Sequence, residues 1–84
     1  MNVYTVIGLI TTVKDGNIGT RLMFTTDFSD YVVEHAQRCD GVDVVVEFTR
    51  LDCSTIKIGD KLELFYNKGF NGKAMLVGFR KVTE

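Results

Sequence analysis

The sequence has no proline, a single histidine and only two cysteines, and its net charge is close to zero at −1. Each shortage removes a class of explanation. Without proline, no strand is interrupted by a missing backbone N–H. Cys39 and Cys53, with no CxxC, do not make the disulfide framework on which small secreted domains rely. With His35 the only histidine, any acid–base relay or triad would have to run through it. The apolar stretches are too short to span a bilayer. Residues 1–13 lack the basic start of a signal peptide, and Tyr4, Thr5, Thr11 and Thr12 interrupt their apolar run. A reducing, cytoplasmic setting is the expectation. Neither a Walker-type phosphate loop nor the glycine pattern of a dinucleotide-binding fold is present.

What remains is an ordinary globular composition, 45% hydrophobic and 25% charged, in 84 residues, which is one domain. A chain of this size buries roughly 60–65% of the surface it exposes when unfolded, so a homodimer would be a natural source of further burial. The charge is unevenly spread. Residues 1–56 hold four basic and eight acidic side chains, a balance of −4, whereas residues 57–84 hold six basic and three acidic, a balance of +3. Such a chain can present one positive face.

Hydrophobic patterning predicts the order ββαβββ. Residues 2–14 are rich in Val, Ile, Thr and Tyr and apolar on both alternating faces, with Gly8 in the middle, which fits a bent strand at a barrel corner. Asp15-Gly16-Asn17 is a turn into a second strand over 20–26. A helix follows, capped by Asp27 or Ser29 and ended by Gly41. Phe28, Tyr31, Val32, His35, Ala36 and Cys39 fall on one stripe, predicting a single buried face. Residues 42–50 alternate Val42, Val44, Val46 and Phe48 on one side with Asp43, Glu47 and Thr49 on the other. Strands over 61–67 and 73–82, joined by Lys68-Gly69-Phe70-Asn71-Gly72, complete the chain. Five strands and one helix favour a small, partly open barrel of OB or SH3-like character, since curvature hides sheet edges. A ferredoxin-like fold would need a second helix.

Chemistry-bearing residues are sparse. His35 and Cys39, at i and i+4, could reach one metal with Cys53 as a third ligand, but structural zinc sites bring a close cysteine pair, and core-facing thiols account for both cysteines. Asp27/Asp30 and Asp40/Asp43 read as a helix cap and a solvated helix exit. The GxxG spacings at Gly16–Gly19 and Gly69–Gly72 join strands, not the helices of a KH domain. No catalytic residue, metal or cofactor is assigned, and the expectation is a non-enzymatic binding domain.

The C-terminal hairpin interleaves aromatic and basic side chains: Phe65 on the more polar face of its strand, Lys68, Phe70 and Lys73 around the turn, and Arg80 on the last strand. Single-strand binding needs this combination, because rings stack bases while cations track phosphates. Residues 59–82, GDKLELFYNKGFNGKAMLVGFRKV, resemble the last hairpin of small OB-fold single-stranded-DNA-binding proteins from phages and mobile elements. The resemblance implies a compact, often dimeric β-barrel in which Phe70, Lys68, Lys73 and Arg80 contact the strand. The helix departs from it, since OB folds place theirs between the third and fourth strands. The alternative is an SH3-like protein-interaction or self-assembly module. The acidic N-terminal half and Val33, outward on the helix beside Glu34 and Gln37, favour that reading.

Overall fold

The computed structural model describes residues 3–69 and 74–82. Five strands, β1 (Tyr4–Lys14), β2 (Asn17–Thr26), β3 (Asp43–Thr49), β4 (Lys61–Lys68) and β5 (Ala74–Lys81), form one antiparallel sheet in the order β3-β2-β1-β4-β5. The helix α1 (Asp30–His35) lies between β2 and β3. Element order and the mostly β class agree with the sequence pattern. The sheet curls far enough for Phe48–Leu51 and Met75–Val77 to line a common cleft, but among the described residues no ladder joins β3 to β5.

Local chemistry explains the first hairpin. Asp15 (φ 52°) and Gly16 (φ 78°) are both left-handed, and Lys14 pairs with Asn17, so the turn has two residues of the I′ kind whose twist matches the strands. Asn17 therefore opens β2, three residues before the expected start. The β1–β2 register slips between Val6 and Gly8, which bulges β1 at Ile7 beside the glycine that the sequence marked as a bend. Beyond this bulge β1 also pairs with β4, through Tyr4↔Leu62 and Thr5↔Lys61. The turn before β4 docks here: Val6 N donates to Asp60 O at 2.9 Å and Gly59 N to Val6 O at 2.8 Å. Gly59 holds φ 91°, which only glycine adopts cheaply.

The core forms on the concave side where these strands meet. Val6, Leu22, Phe24, Cys53, Ile56 and Leu62 are buried, with Tyr4, Leu9, Leu64 and Phe79 packed around them. Tyr4 meets Phe24 edge to face, centroids 5.7 Å apart. Thr20 and Thr49 are buried too. The Thr20 hydroxyl bonds that of Thr11 at 3.1 Å, and Thr49 Oγ1 accepts from Leu51 N at 3.1 Å.

Two expectations need correction. The helix is six residues long and buries no side chain. Ser29 caps it, its hydroxyl accepting from Val32 N at 3.3 Å, but the chain turns extended at Ala36. The predicted stripe of Phe28, Tyr31, Val32, His35, Ala36 and Cys39 is therefore not a buried face: Tyr31 is 71% exposed, and only Phe28 and Cys39 are even partly covered. A helix this short has too few backbone bonds to stand alone, and Val32 and Val33 are weak helix formers. The register Thr26↔Asp43 also ties both of its ends to one rim of the sheet. Strand β3 does alternate as its sequence implies, but its apolar side faces outward. Val44, Val46 and Phe48 are exposed, while Val45, Glu47 and Thr49 turn to the concave side.

Candidate functional site

The outer face of the sheet carries two phenylalanine rings seated on glycines. On the β2–β3 side, the Phe48 ring lies against Gly19 so closely that a Cβ there would stand 2.4 Å from its Cζ. On the β4–β5 side, Phe65 pairs with Gly78, whose missing Cβ would meet the ring edge at 3.7 Å. Glycine beneath an aromatic lets the ring lie along the sheet and leaves its other face to solvent. Phe48 is 60% exposed and Phe65 42%. Large rings held flat in water are platforms on which another planar group can stack.

Cations stand beside Phe48. Arg21 is the cross-strand partner of Phe48. Lys14, Arg50, Thr12, Asn17 and Gly19 share with Phe48 a cleft of ≈ 340 Å³ on one side of the ring. On its other side a cleft of ≈ 490 Å³ runs past Arg50 and Leu51 to Met75, Leu76 and Val77 of β5. Neither Phe65 nor Gly78 lines this cleft. Lys68 closes β4, its backbone N–H donating to Asn67 Oδ1 at 2.8 Å. Among the described residues Lys14, Arg21, Arg50 and Lys68 have no carboxylate partner.

Of the residues chosen from the sequence, Phe65 and Lys68 lie on β4 as described. Arg80 is exposed but committed: its Nη2 donates to both carboxylate oxygens of Glu63, at 3.0 and 3.2 Å. Phe70 and Lys73 lie outside the described residues. Sequence reasoning missed Phe48, Arg21, Arg50 and Lys14. All three cations lie in the part of the chain whose charge balance is negative, and Phe48 sits on a strand whose alternation reads as a core face. Only Lys14, flanking an evident turn, carried a local signal.

Several other polar groups are held by local structural contacts. Asp60 accepts from Lys57 N at 2.8 Å and from Lys81 Nζ at 3.1 Å, and these contacts hold its carboxyl below the usual range. Burial pushes the Cys53 thiol up, with a Thr20 hydrogen bond opposing and Asp52 adding to the rise. Cys53 lies at the base of a third cleft, ≈ 470 Å³, formed by Leu9, Thr11, Ile18, Thr20 and residues 50–54 and 56. His35 stacks on Tyr31 at 4.1 Å and bonds its carbonyl through Nδ1 on the exposed helix. Among the described residues no group of three or more His, Cys, Asp or Glu is arranged to hold a metal, and no helix is long and apolar enough to cross a membrane.

Comparison with protein-family models, curated proteins and solved structures finds no match for this chain.

Proposed function

We propose that this chain is a non-enzymatic binding domain that takes single-stranded nucleic acid on the outer face of an OB-like sheet. The observation that carries the reading is the pair of solvent-facing rings, Phe48 on Gly19 and Phe65 on Gly78, with Arg21, Arg50 and Lys14 around Phe48. Bases stack on the rings at roughly 1–3 kcal/mol each, and the cations follow the phosphates. OB barrels bind along the β2–β3 face, between the β1–β2 and β4–β5 loops. In this chain that face holds Arg21 and Phe48, and the first of those loops is flanked by Lys14. The strand runs from Lys14 and Arg50 across Phe48, along the cleft beside β5, to Phe65 and Lys68. Arg80 joins it by exchanging its Glu63 partner for a phosphate. The helix after β2 sets this sheet apart from the usual OB arrangement.

The test is a fluorescence-anisotropy titration of a labelled single-stranded oligonucleotide at several salt concentrations. Five phosphate contacts along this track would give a slope of log K against log salt of roughly −3.5. Replacing Phe48 with alanine should weaken binding about tenfold or more at unchanged fold. No binding at low salt would end this reading.

A further inference from the structure

The concave side of the β1–β2 hairpin continues past the core. Alternation and register place three cross-strand pairs on it, Leu9–Leu22, Thr11–Thr20 and Val13–Ile18, in order toward the turn. The core covers Leu22, but Ile18 is left 58% exposed. Residues 50–54 and 56 stand opposite, and with Leu9, Thr11, Ile18 and Thr20 they form the ≈ 470 Å³ cleft that has Cys53 at its base. This opposing loop is held in place. Leu51 N donates to Thr49 Oγ1 at 3.1 Å, Ser54 N to Asp52 Oδ1 at 3.0 Å and Ile56 N to Cys53 O at 3.0 Å, while Lys81 Nζ donates to Thr55 O. A preformed, mostly apolar cleft of this size in the mouth of a curled sheet has the form of a small-molecule site.

The lining states what the molecule must be. The walls are aliphatic, and no aromatic ring is among the lining residues, so a nucleobase finds nothing to stack on. The two charged lining residues, Arg50 and Asp52, are of opposite sign. The polar floor has a direction. Cys53 Sγ donates to Leu51 O at 3.4 Å and accepts from the Thr20 hydroxyl. The Thr20 oxygen, 3.1 Å from Thr11 Oγ1, therefore accepts the Thr11 proton. The chain ends on a Thr11 oxygen that has lone pairs to offer and no proton left to give. We propose that this cleft takes a small neutral aliphatic alcohol, its chain against Leu9, Ile18, Leu51 and Ile56 and its hydroxyl donating to Thr11 Oγ1. A carboxylate of the same length is refused, because it brings no proton for Thr11 and meets no uncompensated cation. Neither Phe48 nor Phe65 lines this cleft, so its occupant and a strand on the rings are separate ligands.

The experiment is a heteronuclear NMR titration of the isotope-labelled chain with hexan-1-ol and, separately, with hexanoate at neutral pH. The expected result is saturable shifts at the amides of Leu9, Thr11, Ile18, Cys53 and Ile56, with a dissociation constant of about 1 mM for so small an alcohol. Hexanoate should bind at least about tenfold more weakly. Thr11→Val keeps the β-branched shape and removes the acceptor, and it should weaken hexan-1-ol about fivefold. The variant's own spectrum checks its fold, and if it does not fold, the alcohol–carboxylate comparison on the wild type decides. The proposal is overturned by no saturable shift up to the solubility of the alcohol, by shifts centred on Phe48 instead, by equal affinity for hexanoate, or by a folded Thr11→Val that binds as the wild type does. Oligonucleotide affinity reports on the rings, and its outcome leaves this one unchanged.

Discussion

The Tyr66 hydroxyl donates to Glu47 Oε1 at 3.1 Å, linking β4 to β3 although β1 and β2 stand between them in the sheet. In a flat sheet those strands would lie about 14 Å apart, beyond the reach of a tyrosine. The bond therefore measures the curl that brings the sheet's ends together. Partial burial raises the phenol above its ordinary range, and the Glu47 carboxylate raises it further. A raised folded-state value favours the neutral phenol, so its stabilisation is full below about pH 10, the unfolded value, and is lost as pH rises toward the folded one. In an absorbance titration of the three tyrosines, one should ionise last, and Tyr66→Phe should remove that late step. The same substitution should cost about 0.5–1 kcal/mol in urea denaturation, the lower range for a half-exposed hydrogen bond.

Gly19 tests the seating of Phe48. Gly19→Ala places a methyl group where the ring now lies, so the ring must lift or the strands must part. Oligonucleotide affinity should fall roughly as far as in Phe48→Ala, about tenfold, although position 19 itself offers no ring to the ligand. Equal affinity for Gly19→Ala and the wild type would show that the flat seating does not matter.

Asp60 contributes to the acid limb of stability, as does Asp52, whose carboxyl the Ser54 backbone N–H also holds down. The Asp60 carboxyl is held down first by the Lys57 backbone N–H and then by Lys81. A depressed value means stabilisation that is complete above the ordinary carboxylate range near pH 3.9 and drains away as pH falls below it. Thermal melts of Asp60→Asn should show lower stability than the wild type at neutral pH, with the two curves converging as the buffer is acidified. A constant gap down to the lowest pH would refute the linkage.

Phe24 should be the costliest single truncation. It is fully buried, touches Tyr4, and sits where β1, β2 and β3 meet. Phe24→Ala is expected to cost about 3–5 kcal/mol, a large share of the margin available to so small a domain. Denaturant unfolding measures it. A loss no greater than that of an exposed residue such as Val44 would contradict the assigned core.

Local chemistry is what the sequence revealed well. Asp15-Gly16 between two Val- and Thr-rich runs indicates a hairpin whatever the rest of the chain does, and Gly8 marked the bend. Position 31 shows the opposite case. The spacing of Tyr31, Val32 and His35 fits a buried helical stripe, yet burial depends on what lies opposite, and nothing does. Strand β3 teaches the same lesson: alternation separates two faces, but only Tyr66 and the Leu22–Phe24 core, distant in sequence, decide which one turns inward. Phe48 belongs to the candidate site because Gly19 lies beneath it, a pairing set by register alone. Phe65 and Lys68 were legible because the β4–β5 hairpin carries its own aromatic–basic pattern.

β1 is hydrogen-bonded on one edge to β2 and on the other to β4, whose residues appear some fifty positions later. During synthesis the β1–β2 hairpin can close as soon as it leaves the ribosome, and β3 can add to it. The edge of β1 that awaits β4, and the concave surface around Leu22 and Phe24 that Leu62 later caps, stay open until residues 57–62 emerge. Non-local pairing is the slow step in folding, and uncapped strands are the species that aggregate. Expression yield, more than equilibrium stability, should therefore respond to how quickly residues 57–62 reach Val6.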